Sequence, residues 1–168
     1  MYKISTDTKE PVLLKTPSVS DDRGYLIPLT DHIDHDLFHR CYVVGDYGKR
    51  VVRGLHYHKK EMKIFTIVSG AAKFIAVKIP EDVANRNNRQ EIENYLEENP
   101  DVIKTFVLSD RHQGVVAIPA YYANGWVSLE DNTILVCLSS LRFENTKDDD
   151  IRIDPYIIGK KHWETIAR

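Results

Sequence analysis

The chain has 168 residues, 42% hydrophobic and 29% charged, so it is long enough to bury a core and too apolar to be disordered. Its 23 Lys and Arg nearly balance its 25 Asp and Glu, which excludes binding of nucleic acid or an acidic membrane by general positive charge. The N-terminus lacks the apolar core of a signal peptide and no run is long enough to span a membrane, so we expect a cytoplasmic location.

Short runs rich in Val, Ile, Tyr and Phe recur along the chain, separated by turn residues, and predict β-strands. Their spacing is typical of an all-β sandwich or barrel, which we expect to form one domain over residues 1–168. In chain order the runs are GYLIPLT, RCYVVG, MKIFTIV, AKFIAVKI, VIKTFVL, GVVAIP, GWVSL and TILVCLSSL.

The stretch VVRGLHYHKKEMKIFTIVSG, residues 51–70, is predicted to form a strand hairpin with two histidines at its mouth. Because side chains alternate along a strand, we expect His56 and His58 on one face, about 7 Å apart, and Tyr57 on the other. Two imidazoles in one cavity are suited to binding a metal or to moving a proton.

Cationic side chains accompany the histidines. Arg53 precedes His56 by three residues in RGLH, and Gly54 is expected to let the backbone approach a ligand closely. Arg23 repeats the arginine-glycine pairing in DDRGYL, and Lys63 follows the histidines. Together these cations are predicted to meet a diphosphate in a chain of almost neutral net charge.

Two segments depart from the strand pattern. In residues 80–104, Ile92, Tyr95 and Leu96 follow helical spacing, which predicts a surface insertion with one short helix. That insertion is either a lid or partner site, or a variable connection. The charged tail, residues 147–168, is predicted to pack back on the barrel through five apolar residues: Ile151, Ile153, Tyr156, Ile157 and Trp163.

The histidine pair resembles the first motif of the cupin superfamily, in which His-x-His precedes a Glu and then a Gly. His56, His58 and Gly70 fit that frame, whereas Lys63 stands at the glutamate position. The resemblance implies a cupin-type double-stranded β-helix, a jelly-roll barrel, with the short helical insertion.

The second cupin motif, a Pro followed five residues later by a His, is similar to PAYYAN, where Asn124 replaces the His. Two of four expected metal ligands are therefore missing, and the Lys63 ammonium offers no lone pair and repels a cation. We expect no metal, although a site formed by His56, His58 and Glu61 stays open.

Five segments in order, DDRGYLIPL, VVRGLHYH, KIFTIVSGAAKFIAV, IPAYYANGWVSL and IRIDP, resemble the dTDP-4-dehydrorhamnose 3,5-epimerase family. This resemblance, over residues 20–155, implies a homodimer without metal or organic cofactor. It implies a nucleotide-diphosphate 4-keto-6-deoxyhexose, dTDP-linked, as the substrate. The expected reaction is epimerisation at C3, C5 or both, by proton abstraction next to the ketone, in deoxysugar and polysaccharide biosynthesis.

By position, the resemblance makes His56 the catalytic base, Asp154 the carboxylate that orients it, and Lys63 the cation at the keto oxygen. Such a carboxylate fixes the tautomer of the imidazole and supports its protonated form. Arg53 and Arg23 match phosphate or sugar contacts. The remaining expected site residues are a second catalytic histidine, His58, and the substrate contacts Asn124, Tyr121 and Tyr122.

The chain departs from the family at the tyrosine that delivers a proton to the opposite sugar face. The matching position lies between Leu135 and Cys137, where no tyrosine stands, and Tyr121, Tyr122 or a water are candidates to replace it. RGLHYHKK is also similar to the Arg-Gly-x-His-x-His-Lys signature of sugar nucleotide 3,4-ketoisomerases, which need no donor on the opposite face. Epimerisation and keto transfer therefore both stay open.

A non-catalytic cupin that binds a nucleotide sugar through the same arginines is the alternative from another class. A hydrogen bond between His56 and Asp154 would distinguish the two, because a binding protein has no use for an oriented base.

Overall fold

A computed structural model describes residues 4–165, and this part of the chain is built mainly of antiparallel strands. The all-β prediction is therefore confirmed. The strands are β1 (Val12–Lys15), β2 (Val19–Asp21), β3 (Gly24–Leu26), β4 (Arg40–Asp46), β5 (Val52–Tyr57), β6 (Lys63–Ser69), β7 (Ala71–Lys78), β8 (Ile103–Ser109), β9 (Gly114–Ile118), β10 (Tyr122–Ser128), β11 (Thr133–Ser139) and β12 (Ile151–Arg152).

Two five-stranded sheets enclose the core. The first has the order β1-β9-β6-β11-β4 and the second has the order β12-β5-β10-β7-β8, while β2 and β3 form a separate hairpin. Inward-facing side chains of both sheets share one apolar cluster, which includes Phe65 and Leu135 from the first sheet and Phe74 and Trp126 from the second. Aromatic rings of the two sheets meet inside it, since the Phe65 and Phe74 ring centroids lie 5.4 Å apart.

The prediction of a hairpin over residues 51–70 is wrong. Strand β5 pairs with β10 and β12, whereas β6 pairs with β9 and β11, so the chain crosses from one sheet to the other after the histidines. The buried Asp149 side chain holds this crossing, because it accepts the backbone N–H groups of Lys59, Lys60 and Glu61 at 2.8–3.0 Å. Such charge-assisted bonds to a buried carboxylate are strong.

Gly54 allows two strands to approach closely. Its φ is +148°, and a Cβ atom there would lie only 2.7 Å from the Cα of Gly125 on β10. The register of β10 against β5 shifts between Asn124 and Trp126, next to this close approach of the two strands. Asn124 lies opposite His56. The expectation that Gly54 makes room for a ligand is thus replaced by a packing role next to the site.

Residues 80–104 contain two helices rather than the single one predicted: α1 (Glu81–Asn85) and α2 (Arg89–Glu98). The helical conformation is interrupted between them at Asn87, which has φ +54°. Asn88 then caps α2, because its side chain accepts the N–H groups of Gln90 and Glu91.

Helix α2 and the tail cover the outer face of the second sheet. Ile92 and Leu96 are buried in one cluster with Ile158 and Trp163, whereas Tyr156 of the tail is 46% exposed. Truncation of such a buried Leu or Ile to Ala costs about 2–5 kcal/mol. Within residues 4–165, no helix is both long and apolar enough to cross a membrane.

Candidate active site

A cavity of about 310 Å³ opens between the two sheets and collects most of the predicted site residues. Its walls come from β4, β5, β6, β10 and β11 and from the segment before β12. The polar side chains that line it are Arg40, Tyr42, Arg53, His56, His58, Glu61, Lys63, Asn124, Thr146 and Asp150. The two histidines share this cavity, while Tyr57 is buried on the outer face, as strand alternation predicts.

His56 and Asp150 form the best-aligned acid-base pair of the cavity. The His56 Nδ1 atom lies 2.9 Å from Asp150 Oδ1, and the two side chains are 30% and 33% exposed. The hydrogen bond with His56 holds the pKa of the Asp150 carboxyl well below its usual range, although burial opposes the shift. Asp150 is therefore ionised and can only accept, so the Nδ1 atom of His56 carries the proton.

The prediction that Asp154 orients His56 is wrong. Asp154 is exposed and caps the short 3₁₀ helix Pro155–Ile158, where its Oδ1 accepts the Tyr156 N–H at 2.9 Å. Strand β12 pairs Arg152 with His56, so residues beyond Arg152 move away from the histidines along β5. Asp150 lies on the other side of that pair, level with the end of β5.

His58 is buried at 2% exposure, and its two ring nitrogens face two carboxylates. Nδ1 lies 3.0 Å from Glu61 Oε2, and Nε2 lies 3.9 Å from Asp150 Oδ1, but neither nitrogen has an aligned hydrogen bond within residues 4–165. Burial, followed by the Lys63 charge, lowers the pKa of His58, and the neighbouring carboxylates only partly oppose this. His58 is thus a neutral imidazole at neutral pH.

Lys63 and Glu61 lie side by side on the cavity wall. Lys63 Nζ is 3.7 Å from Glu61 Oε2, and the buried Glu61 also accepts the Ser139 hydroxyl through Oε1. The Lys63 ammonium therefore lies close to Glu61, the carboxylate that a metal site with His56 and His58 would need. Within residues 4–165, no group of three or more His, Cys, Asp or Glu side chains has the geometry to hold a metal ion, including the set His56, His58 and Glu61.

Arg53 and Asn124 also lie in the cavity, partly engaged with their own surroundings. Arg53 Nε donates to the buried Asp46 at 2.5 Å, which fixes its guanidinium while 47% of the side chain stays exposed. The Asn124 amide donates to the His56 carbonyl at 3.1 Å and so ties β10 to β5. Each retains polar capacity for a ligand, Arg53 as donor and Asn124 through its carbonyl.

Three predicted substrate contacts lie elsewhere. Arg23 stands on the β2–β3 hairpin, 86% exposed and paired with Asp21 at 2.5 Å, outside the histidine cavity. Tyr121 and Tyr122 line a second cavity, in which the Tyr122 hydroxyl donates to Glu10 at 2.7 Å. Their expected place beside the histidines is therefore wrong: Tyr121 lies in the turn between β9 and β10, and Tyr122 lies at the start of β10.

Tyr42 is the cavity residue that sequence reasoning missed. It lies on β4 directly opposite Cys137, next to the β11 position at which the sequence resemblance predicts a tyrosine. Burial, with the neighbouring Cys137, raises the pKa of the phenol, and the Arg40 guanidinium carbon lies 4.6 Å from the ring centroid. Strand alternation in RCYVVG was the available signal, since it places Tyr42 and Val44 on one face.

Comparison with known proteins agrees with this architecture. The model of the dTDP-4-dehydrorhamnose 3,5-epimerase family matches residues 5–166. A search of curated proteins found no match.

Three solved structures illustrate the shared fold. The rmlC epimerase of Mycobacterium tuberculosis is 19% identical, with a TM-score of 0.69 over 94% of this chain and 76% of its own. The dTDP-4-dehydrorhamnose 3,5-epimerase of Bacillus anthracis, bound to TDP and PPi, is 18% identical, with a TM-score of 0.65 over 90% and 82% of the two chains. A sugar 3,4-ketoisomerase of Thermoanaerobacterium thermosaccharolyticum, in complex with TDP, is 21% identical, with a TM-score of 0.61 over 90% and 93%. These similarities confirm the predicted cupin-type barrel.

Proposed function

The chain belongs to the dTDP-4-dehydrorhamnose 3,5-epimerase family, and on that premise we propose that it isomerises a nucleotide-diphosphate 4-keto-6-deoxyhexose. The reaction begins with abstraction of a proton next to the C4 ketone and epimerises C3, C5 or both. The observation that carries this proposal is the 2.9 Å contact between His56 and Asp150 in a cavity that also holds an ammonium.

His56 is the base. With its Nδ1–H donated to Asp150, the Nε2 atom keeps its lone pair in a ring that lines the cavity. Proton transfer from the sugar carbon to Nε2 creates an imidazolium, which the neighbouring carboxylate stabilises. A positioned base of this kind contributes about 10²–10⁴-fold to the rate.

The other two reacting groups are a cation and a proton donor. The Lys63 ammonium, only 15% exposed, is suited to stabilise the enolate oxygen that forms when the carbon loses its proton. Tyr42 takes the role of the donor absent from β11. Because burial raises the pKa of this phenol, it stays protonated and gives up a proton only to a strongly basic carbanion or enolate.

Binding of the nucleotide follows from the cations at the cavity. Arg53 and Arg40 both line it, and guanidinium groups suit the diphosphate. Because two structural relatives were solved with TDP, we take thymidine diphosphate as the nucleotide of this substrate. We place the reaction in the cytoplasm, where the sequence predicts the chain to reside.

We also propose a homodimer. Strand β4 is an edge strand, and Val43 on it is 66% exposed. Val19, Tyr25 and Leu26 of the β2–β3 hairpin are 64–78% exposed. Exposed apolar side chains on an edge strand and a projecting hairpin favour contact with a second copy. Within its own chain, Arg23 of the hairpin lies outside the histidine cavity. In such a dimer, it contacts the substrate bound by the partner subunit.

A 3,4-ketoisomerase is the second candidate. His56 and His58 lie 2.9 Å and 3.9 Å from the same Asp150 oxygen, so two imidazoles work at one side of the cavity. This arrangement favours proton movement between C3 and C4 on one face of the sugar, which needs no donor opposite.

Proton NMR of dTDP-4-keto-6-deoxyglucose with the protein in deuterated buffer tests both candidates. Deuterium at C3, at C5 or at both supports epimerisation, and a 3-keto product supports keto transfer. Absence of both exchange and product, with the nucleotide sugar still bound, would contradict the enzyme proposal and support the non-catalytic binding cupin.

A further inference from the structure

Glu61 is a buried carboxylate that the mechanism above leaves without a role. It is 2% exposed, and its Oε1 accepts the Ser139 hydroxyl. Its Oε2 lies between two cavity groups, 3.0 Å from His58 Nδ1 and 3.7 Å from Lys63 Nζ. A charged side chain taken out of water is costly unless it is paired, so its position between these groups needs an explanation.

We propose that Glu61 is a positioning residue that fixes the tautomer of His58 and anchors the Lys63 ammonium. It thereby makes His58–Glu61 a second imidazole–carboxylate pair beside His56–Asp150. This inference rests on the proposed function, since it assigns His58 to proton transfer with the same substrate.

The tautomer follows from the chemistry of the two atoms. An ionised carboxylate can only accept a hydrogen bond, and a neutral imidazole carries one N–H. At 3.0 Å, Glu61 Oε2 is at hydrogen-bonding distance from Nδ1, whereas Nε2 is 3.9 Å from the carboxylate that it faces. Nε2 then keeps a lone pair that has no partner within residues 4–165. A buried acceptor of this kind is satisfied by a hydroxyl of a bound sugar.

The charges around His58 decide how it titrates. Lys63 faces it from β6, Glu61 from the crossing after β5, and Asp149 and Asp150 from the segment before β12. Burial and Lys63 lower the pKa of His58, whereas the three carboxylates raise it. Removal of the Glu61 charge therefore lowers this pKa further. The neutral form of His58 then persists to lower pH.

Lys63 depends on the same carboxylate. Glu61 is the acid within 4 Å of its ammonium among the described residues. Loss of that charge leaves the ammonium free to leave the position at which it meets the enolate oxygen. An effect on Lys63 should appear in turnover more than in nucleotide affinity, since Arg53 and Arg40 remain in place.

The test compares wild type with Glu61→Gln, which keeps the size of the side chain and removes its charge. In wild type, nitrogen-15 NMR of labelled histidines should find His58 in the Nδ1–H tautomer. In the variant that tautomer should no longer dominate. We expect kcat to fall by roughly 10–100-fold, at or below the low end for loss of an acid–base group itself, with TDP affinity unchanged. The acid limb of kcat should move to lower pH, which a merely structural defect would not cause.

Glu91→Gln is the matched control, because Glu91 lies on α2 and pairs with Arg86 away from the cavity. It should leave the tautomer, kcat and pH profile as in wild type. An Nε2–H tautomer of His58 in the wild-type protein would overturn the inference, and this measurement needs no variant to fold. An acid limb that stays in place in a folded Glu61→Gln protein would overturn it as well.

Failure of the proposed function is recognisable separately. If the wild-type protein neither exchanges nor converts the dTDP-sugar, the enzyme proposal fails. The tautomer of His58 in wild type still decides whether Glu61 positions it.

Discussion

The cavity contains two imidazole–carboxylate pairs of the same chemistry in opposite environments. The outer pair, His56 and Asp150, is about one-third exposed and well aligned, whereas the buried pair, His58 and Glu61, is 1–2% exposed. Exposure lets the outer pair exchange its proton with solvent between turnovers, while burial and Lys63 keep the inner imidazole neutral. In the proposed mechanism, exposure to water rather than residue type therefore distinguishes the base from the assisting group.

Replacement of each histidine by Asn gives the largest expected contrast between the pairs. His56→Asn should lower deuterium incorporation into the dTDP-4-keto sugar by about 10²–10⁴-fold, because it removes the oriented base. His58→Asn should lower formation of the final product yet retain exchange at the carbon that His56 deprotonates. TDP binding, measured by calorimetry, should persist in both. Equal loss of exchange in the two variants would contradict this division of roles.

The carboxylates allow the next comparison. Asp150→Asn should lower kcat by about 10²-fold or more, because the amide no longer fixes the tautomer and no longer supports the imidazolium. Asp154→Asn is the matched control. It should keep nearly the wild-type rate, because Asp154 only caps the helix that follows it. The assignment of Asp150 would be refuted by the reverse order of the two rates.

The sequence alone does not show whether Asp150 or Asp154 orients His56. Asp148, Asp149, Asp150 and Asp154 are similar in a linear reading, and only the pairing of Arg152 with His56 distinguishes them. That two-residue strand is too short to carry a pattern. Asp149 is also buried and holds the crossing between the sheets, a role that its charged neighbours in the sequence do not indicate.

Other features followed the local pattern more closely. Alternation placed His56 and His58 in one cavity, and the apolar runs predicted most strands, because both depend on near neighbours in the chain. The crossing after β5 did not follow, since pairing partners are set by long-range packing. Tyr42 was missed for the same reason, as its proximity to the site depends on β4 pairing with β11.

Replacement of Tyr42 is expected to have a smaller effect, which distinguishes removal of the substrate proton from its return. Tyr42→Phe should lower product formation by roughly 10–100-fold, toward the low end for a general acid because water can replace it. Deuterium exchange at the carbon that His56 deprotonates should continue. Tyr47→Phe is the control, because Tyr47 is 98% exposed. Loss of exchange in Tyr42→Phe would show that the phenol is needed before the proton leaves.

The smallest expected effect is in stability, and it separates the pairs by pH. The pKa of His58 is below its ordinary value of 6.5 in the folded chain, so the unfolded chain binds this proton more readily. Its contribution to stability is complete above about pH 6.5 and is lost as pH falls toward the folded-state pKa. Below about pH 6.5, the urea midpoint of unfolding should therefore decrease less steeply in His58→Asn than in wild type. The fall due to His162, whose pKa burial also lowers, should remain.

Asp150 titrates in a separate range. Its pKa is also lowered in the folded chain, so its contribution is present above about pH 4 and is lost only below that. Asp150→Asn should not flatten the fall of the urea midpoint between about pH 5 and 7, because loss of its charge lowers the pKa of His58 further and leaves that imidazole in place. If the two variants flattened the same pH range, the outer and buried pairs would titrate as a single unit. The two pH ranges are independent only if Asp150 Oδ1 interacts chiefly with His56, which lies 2.9 Å from it, and little with His58, which lies 3.9 Å from it.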